Sequence, residues 1–202
     1  MLEEPSVVAI REDHGGGRKT VVAVGANIDQ NKLMHHGSYP DPHIWFDLSL
    51  WQQAGQRVLE TLQEQDPKHK ADYQNQADEY LKQMAELDSW IKQQILEVPE
   101  NQRILITAHD AFGYFGKAYD IKVMGLQGIS TAAEFGLQDI KKLKNVIVKN
   151  NVKAVFVESS VSPRFIKSLV AGVTAEGHKV VIGGELYSDA MGPQGTPTDN
   201  YF

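Results

Sequence analysis

The chain has 202 residues, of which 42% are hydrophobic and 23% charged, and its 20 basic and 26 acidic side chains give a formal net charge of −6. These values are typical of a globular protein and disfavour a nucleic-acid binder, which usually carries a basic surface. The absence of cysteine excludes disulfides, thiolate metal sites and cysteine nucleophiles. The apolar runs are far shorter than the roughly 20 residues that a membrane-spanning helix needs.

Both ends of the sequence resemble cut ends. The first residues lack the basic and apolar regions of a secretory signal, and the chain stops at the aromatic pair Tyr201-Phe202 after a polar loop. We therefore expect a fragment of a longer protein. Near the start, apolar stretches at residues 7–10 and 21–24 flank a glycine-rich loop that lacks the GxxxxGK[ST] spacing of a phosphate-binding loop.

Two helices are predicted in the middle of the chain. Asp47 is expected to cap a helix over residues 48–65. Its apolar face is predicted to contain Leu50, Ala54, Val58 and Leu62. A second helix over residues 68–96 carries one apolar stripe and would be about 40 Å long, which favours a strut or a coiled-coil arm over an ordinary core helix.

From residue 99 onwards, short strands rich in valine and isoleucine alternate with helices. Strands are predicted at 104–107, 122–126, 154–157 and 180–182, and helices at 111–119, 137–150 and 163–176, the last with Ser162 as its N-cap. This alternation is typical of an α/β fold with a parallel sheet covered on both faces. Ligands bind such sheets at the carboxyl ends of the strands.

Polar side chains follow three of the predicted strands. They are His109, Asp110, Glu158, Ser159, Ser160, Glu185 and Asp189. Nitrogen and oxygen donors without thiolates suit Zn²⁺, Mn²⁺ or Fe²⁺. At this point His109 could equally be a hydrogen-bonded histidine at a strand end, and Asp189 a turn residue.

The remaining histidines differ in their surroundings. His43 follows Pro40-Asp41-Pro42, which would hold its ring in one orientation, as suits either a metal ligand or a helix cap. His35 and His36 lie in a glycine- and serine-containing loop and are expected to be exposed without a role, and no role is assigned to the other three. A serine hydrolase is disfavoured because GxSxG is absent, whereas a metal-dependent hydrolase stays open although HExxH is absent.

Five motifs in order resemble the solute-binding proteins of zinc and manganese ABC transporters, the TroA-like or cluster A-I group. They are PDPHIWFD at 40–47, TAHDAFGYF at 107–115, GLQGIST at 125–131, VESS at 157–160 and GGELYSDAMG at 183–192. The resemblance implies an α/β fold with two lobes of parallel sheets flanked by helices, joined by one long rigid helix, the amino lobe being incomplete. Residues 1–66 would be the rest of the amino-terminal lobe, 67–98 the linking helix and 99–202 the carboxyl-terminal lobe.

The resemblance also implies a metal site of three histidines and one aspartate between the lobes. His43, His109 and Asp189 correspond to three ligands, and the fourth, a histidine, appears to belong to a region absent from this sequence. Histidine at 109, where some members have glutamate, favours Zn²⁺ over Mn²⁺ modestly. Asp110, Glu158 and Glu185 are candidates for holding the ligand histidines in place, with Glu158 preferred.

The function implied by the resemblance is capture of Zn²⁺ or Mn²⁺ outside the cytoplasm and delivery to an ABC-transporter permease, without catalysis. Metal affinity should fall as the pH drops, because protons compete for the imidazole nitrogens. A metal-dependent hydrolase and a surface adhesin on the same scaffold are the alternatives. A dimer through the truncated lobe is also expected, since an exposed sheet edge invites pairing.

Overall fold

The computed structural model describes residues 20–129 and 136–202. The chain divides into two compact units, residues 1–86 (unit 1) and residues 87–202 (unit 2). Within the described ranges, no helix combines the length and apolar character needed to cross a bilayer. The predictions for residues 1–19, which include the first apolar stretch, His14 and the glycine-rich loop, lie outside these ranges, as do Ser130 and Thr131 of the third motif.

The described part of unit 1, from residue 20 onwards, contains short elements followed by helices. A two-stranded antiparallel hairpin pairs β1 (His35–His36) with β2 (Tyr39–Pro40). Short 3-10 helices span Gln30–Lys32, Ile44–Phe46 and Pro67–His69. The α-helices are α1 (Leu48–Gln65) and α2 (Lys70–Leu96), and the boundary between the units falls within α2.

Asp47 caps α1 as predicted. Its Oδ1 accepts hydrogen bonds from the backbone N–H of Ser49 at 2.9 Å and of Leu50 at 3.4 Å, which satisfies two of the amide groups left open at a helix start. The second helix begins two residues later than predicted, because Pro67 opens a separate 3-10 turn after Asp66.

The apolar face of α1 is only partly buried. Leu50 and Ala54 are buried as expected, whereas Val58 and Leu62 are exposed. These two side chains line an apolar groove of about 420 Å³ between α1 and the first half of α2, together with Tyr80 of α2. Unit 1 therefore leaves apolar surface uncovered along this pair of helices.

Unit 2 continues from α2 with alternating strands and helices. A 3-10 turn at Glu100–Gln102 precedes β3 (Ile104–His109), α3 (Gly113–Tyr119), β4 (Lys122–Gln127), α4 (Leu137–Lys149), β5 (Ala154–Glu158), α5 (Arg164–Ala175) and β6 (Val181–Leu186). β3 pairs in parallel with β4, and β5 with β6. β3 also lies beside β5, so the carboxyl ends of these two strands come together.

The core of unit 2 lies between the strands and helices α4 and α5. Its fully buried members include Ile106 of β3, Val155 of β5, and Ile147, Ile166 and Leu169 of the two helices. Each of the two helices turns an apolar face to the strands; in α5 this face contains Ile166, Leu169 and Val173, whereas Phe165 is exposed. The core fixes where β3 and β5 end, and those ends carry the candidate site.

Several predicted boundaries need correction. β3 and β5 extend far enough to include His109 and Glu158 as their last residues, rather than ending before them. Helix α5 begins at Arg164, so that Pro163 and not Ser162 occupies the N-cap position, although Ser162 Oγ accepts the backbone N–H of Arg164 at 3.5 Å. The prediction of a sheet covered on both faces fails at β6, whose first five residues are exposed.

β6 is also twice as long as predicted, because it continues through two glycines. The ladder pairs Phe156 with Gly184 and Glu158 with Leu186 after a bulge in β5. A Cβ at Gly183 would lie 2.8 Å from the ring of Phe156, so glycine there makes room for the aromatic side chain rather than ending the strand.

Candidate metal centre

In unit 1, His43 lies at the end of a stiff loop. Asp41 is held between two prolines, and its backbone N–H donates to the carbonyl of Met34 at 2.8 Å. Asp41 and His43 are both buried. The His43 ring also contacts Trp45 edge to face, with ring centroids 5.3 Å apart. The sequence predicts that His43 is held in one orientation. The backbone hydrogen bond of Asp41 and the contact of the ring with Trp45 explain how it is held.

Asp41 fixes His43 through two contacts to one oxygen. Asp41 Oδ1 accepts the backbone N–H of His43 at 3.0 Å and lies 2.6 Å from the ring Nδ1. An ionised carboxylate only accepts hydrogen bonds, so the ring contact requires the proton to be on Nδ1. In a neutral ring Nε2 is then the unprotonated nitrogen, which is the type of nitrogen that binds metal ions in proteins.

In unit 2, His109 has the same type of partner. Glu158 Oε1 accepts the backbone N–H of His109 at 2.7 Å, and Glu158 Oε2 lies 2.5 Å from the ring Nδ1. Both side chains are 0% exposed. The two residues end β3 and β5, and the packing of these strands beside each other sets this geometry. Of the three carboxylates predicted to hold ligand histidines, Glu158 makes this contact.

Asp189 lies on the opposite side of the same ring. Its Oδ2 is 3.5 Å from His109 Nε2, and its side chain is 34% exposed. The preceding residue, Ser188, is buried, and its Oγ contacts Ser160 Oγ at 2.8 Å, which anchors the loop after β6. Two ligands bound to one tetrahedral Zn²⁺ at 2.0–2.2 Å are about 3.4 Å apart, so this nitrogen–oxygen separation suits a shared ion.

Gly125 controls the backbone next to His109. A Cβ at this position would lie 2.4 Å from the backbone nitrogen of Asp110, so a larger residue in β4 would push against the chain just after His109. Thr107 supports the same segment from within β3, since its hydroxyl donates to the His109 carbonyl at 2.7 Å. These contacts join the GLQ and TAH segments around His109.

The other predicted site residues lie elsewhere. Asp110 follows β3 and is half-buried, and Glu185 is exposed in β6 opposite Val157. His35 and His36 are exposed in the hairpin, as expected. His178 contacts the Val152 carbonyl through Nε2 at 3.1 Å. Asp41 is the residue that the sequence analysis missed, although an aspartate two positions before a histidine is a recognisable turn signal.

The whole chain, residues 1–202, matches the family described as ZnuA, zinc-uptake complex component A, periplasmic. The chain belongs to this family. This match confirms the family resemblance that the five sequence motifs indicated. Members are named for metal uptake and binding rather than for catalysis.

Relatives and a solved structure agree with this assignment. The chain is 43% identical over 188 residues to the manganese-binding lipoprotein MntA of Bacillus subtilis and 39% identical over 186 residues to the zinc-binding protein TroA of Treponema pallidum; each alignment covers 92% of this chain. It is 31% identical over 162 residues to the metal ABC transporter substrate-binding lipoprotein SloC of Streptococcus mutans, an alignment that covers 80% of this chain. The structure of periplasmic TroA superimposes with a TM-score of 0.87, covering 92% of this chain and 67% of TroA, at 39% identity.

The likeness to TroA confirms the predicted α/β fold class with parallel sheets and helices. The chain spans 61% of the length of MntA, 60% of TroA and 51% of SloC. These relatives are therefore substantially longer than this chain.

Proposed function

We propose that this ZnuA-family chain binds a divalent transition metal, Zn²⁺ or Mn²⁺, outside the cytoplasm and serves its delivery to an ABC-transporter permease. The observation that carries the proposal is the histidine–carboxylate arrangement at the ends of β3 and β5. There Glu158 contacts Nδ1 of His109, while Asp189 lies at a metal-sharing distance from Nε2. The names of the relatives, which include metal-binding lipoproteins and an ABC-transporter component, support the transport role.

The proposed ligands are His43 Nε2, His109 Nε2 and a carboxylate oxygen of Asp189. His43 is supported by its own buried carboxylate partner and by its place in the PDPH motif. Two imidazoles and one carboxylate match the donors that Zn²⁺ takes in proteins. We propose a preference for Zn²⁺ over Mn²⁺, because affinity for nitrogen donors increases from Mn²⁺ to Zn²⁺ in the Irving–Williams order.

The proposed task is capture and release without chemistry on the ion. The division into residues 1–66, a linking helix at 67–98 and residues 99–202 is part of this proposal, as is a dimer formed through the first segment. The two alternatives from the sequence, a metal-dependent hydrolase and an adhesin, are not favoured by these relatives, whose names describe metal binding and transport.

Calorimetric titration of the purified chain with Zn²⁺ and Mn²⁺ at constant pH tests the proposal. We expect one site, tighter for Zn²⁺, whose heat is lost in His43→Ala, His109→Ala and Asp189→Ala. His178→Ala is the matched control, because that ring contacts a backbone carbonyl far from the proposed ligands. Unchanged binding in the three ligand variants would refute the assignment, and equal affinities for the two metals would refute the preference.

A further inference from the structure

We propose that Asp41 and Glu158 are positioning residues that set the tautomer and ring orientation of His43 and His109 before any metal binds. The proposal rests on the proposed function for its purpose, but the structural effect that it describes is a property of the metal-free chain. It assigns to Asp41 a role that the motif alone does not reveal. It also assigns Asp41 and Glu158 the same role in separate units.

The two carboxylates make the same pair of contacts. Each accepts the backbone N–H of one histidine and also contacts Nδ1 of that same histidine. The first contact fixes the carboxylate relative to the main chain, and the second then fixes the ring relative to the carboxylate. A histidine held at both its backbone and its ring has little freedom left at χ1 and χ2.

Burial makes these contacts strong. Asp41 is 3% exposed and Glu158 is 1% exposed, so water competes little for their oxygens. A hydrogen bond to a charged group in such surroundings is stronger than one in water, and leaving either donor without its acceptor would be costly. The structure therefore favours the Nδ1–H tautomer in both rings.

This tautomer matters for metal capture. A neutral imidazole binds an ion through its unprotonated nitrogen, and a carboxylate on the other nitrogen orients the ring and increases its basicity. Without the carboxylate, part of the population would carry the proton on Nε2 and would have to rearrange before binding. Loss of such a partner typically weakens metal affinity about 10- to 100-fold.

Two nearby carboxylates, Asp47 and Glu185, differ from Asp41 and Glu158 in their surroundings. Asp47, six residues after Asp41, accepts the first backbone N–H groups of α1. Glu185 lies in β6 beside β5 but is exposed. These two residues provide matched controls, one in each unit.

The test is the ¹⁵N spectrum of the histidine side chains in the metal-free chain at pH 8.5, where neutral rings can be compared. We expect both His43 and His109 to show the Nδ1–H tautomer. Asp41→Ala should shift His43 to a mixture without changing His109, and Glu158→Ala should do the converse. Asp41→Asn and Glu158→Gln retain an oxygen acceptor and should largely restore the native tautomer. Asp47→Ala and Glu185→Ala should leave both rings unchanged.

A second measurement connects the tautomer to binding. Zn²⁺ affinity should fall about 10- to 100-fold in each alanine variant and by less in each amide variant. An unchanged His43 tautomer in folded Asp41→Ala would overturn the proposal, even if Glu158→Ala fails to fold. Tautomer shifts in a chain that binds no metal would leave the positioning role intact and refute the proposed function instead.

Discussion

His43 and His109 are both buried histidines held by a carboxylate, yet the two pairs are built over very different spans of chain. Asp41 is two residues from His43, whereas Glu158 is 49 residues from His109. The first pair needs only a proline-flanked turn, and the second needs two strands to be correctly placed. The comparison shows that the same support of a buried histidine can depend either on local conformation or on the whole fold of a unit.

The largest expected change in the free energy of unfolding comes from removing Glu158, the partner of His109 from a distant part of the sequence. Glu158→Ala leaves two donors of His109 without an acceptor in a fully buried place, and should lower the free energy of unfolding by about 3 kcal/mol. Asp41→Ala, which breaks a turn-sized contact, should cost roughly half as much. Urea unfolding of both variants measures the difference. Equal losses would show that sequence separation does not determine the energetic importance of the pair.

A smaller effect is expected at Gly125, where a methyl group would meet the backbone of Asp110. Gly125→Ala should lower the free energy of unfolding by about 1–3 kcal/mol, because overpacking displaces the segment that carries His109. Gly55→Ala in α1 is the control, since its Cβ would meet only the Leu81 side chain of α2, at 3.8 Å. That variant should be neutral or stabilising by up to about 1 kcal/mol. Similar losses in both variants would contradict the close approach at Gly125.

The helix cap beside His43 gives a further, local effect. Asp47→Ala removes the acceptor for the first amide groups of α1 and should cost about 1 kcal/mol. Asp47→Asn should retain most of that stability, because an asparagine side chain also caps helices well. Circular dichroism during thermal unfolding measures both variants. A cost for asparagine equal to that for alanine would indicate that charge, rather than the hydrogen bond, stabilises this helix end.

The smallest effect concerns a second local pair in unit 1. The Asp66 carboxylate, 2.6 Å from His69 Nδ1, raises the pKa of His69, and the His69 hydrogen bond lowers the pKa of Asp66. The His69 contribution is present below about pH 6.5 and is lost as the pH rises through its raised pKa. The Asp66 contribution is present above its ordinary pKa and is lost as the pH falls through its lowered value.

His69→Gln should therefore reduce the difference in stability between pH 5.5 and pH 8.5, measured by urea unfolding. The change should be modest, because the His69 side chain is 60% exposed and water screens the pair. Tyr73→Phe, which removes the Tyr73 hydrogen bond to Asp66, serves as the comparison. A steeper pH dependence in His69→Gln would contradict this pairing.

Features that depend on neighbouring residues can be predicted from the sequence, whereas features that depend on distant residues cannot. The Asp47 cap is predictable from the sequence, because the side chain of one residue and the amide groups next to it determine it. β6 was predicted too short, because its two glycines suggested a strand end and only the ring of Phe156 in another strand explains them. The exposure of Val58 and Leu62 was missed for a similar reason, since periodicity identifies an apolar face without showing what covers it.

The site itself divides in the same way. The family motifs suggested His43, His109 and Asp189 as ligands, and their assignment to one ion remains a proposal. Glu158 was preferred because it follows a neighbouring strand, and the structure gives it the contact to His109. Asp41 lies inside the PDPH motif, but the two prolines beside it already account for a rigid loop, so the sequence alone does not reveal its contact with the His43 ring.

The apolar groove between α1 and α2 has a consequence for how cooperatively the chain unfolds. Most of the buried apolar side chains of the described residues belong to unit 2, and unit 1 leaves Val58, Leu62 and Tyr80 in contact with solvent. Unit 1 therefore exposes less new surface on unfolding, which corresponds to a shallower urea slope and a smaller heat-capacity increment. A calorimetric scan should accordingly show a broad, low-enthalpy transition for unit 1 and a sharper one for unit 2.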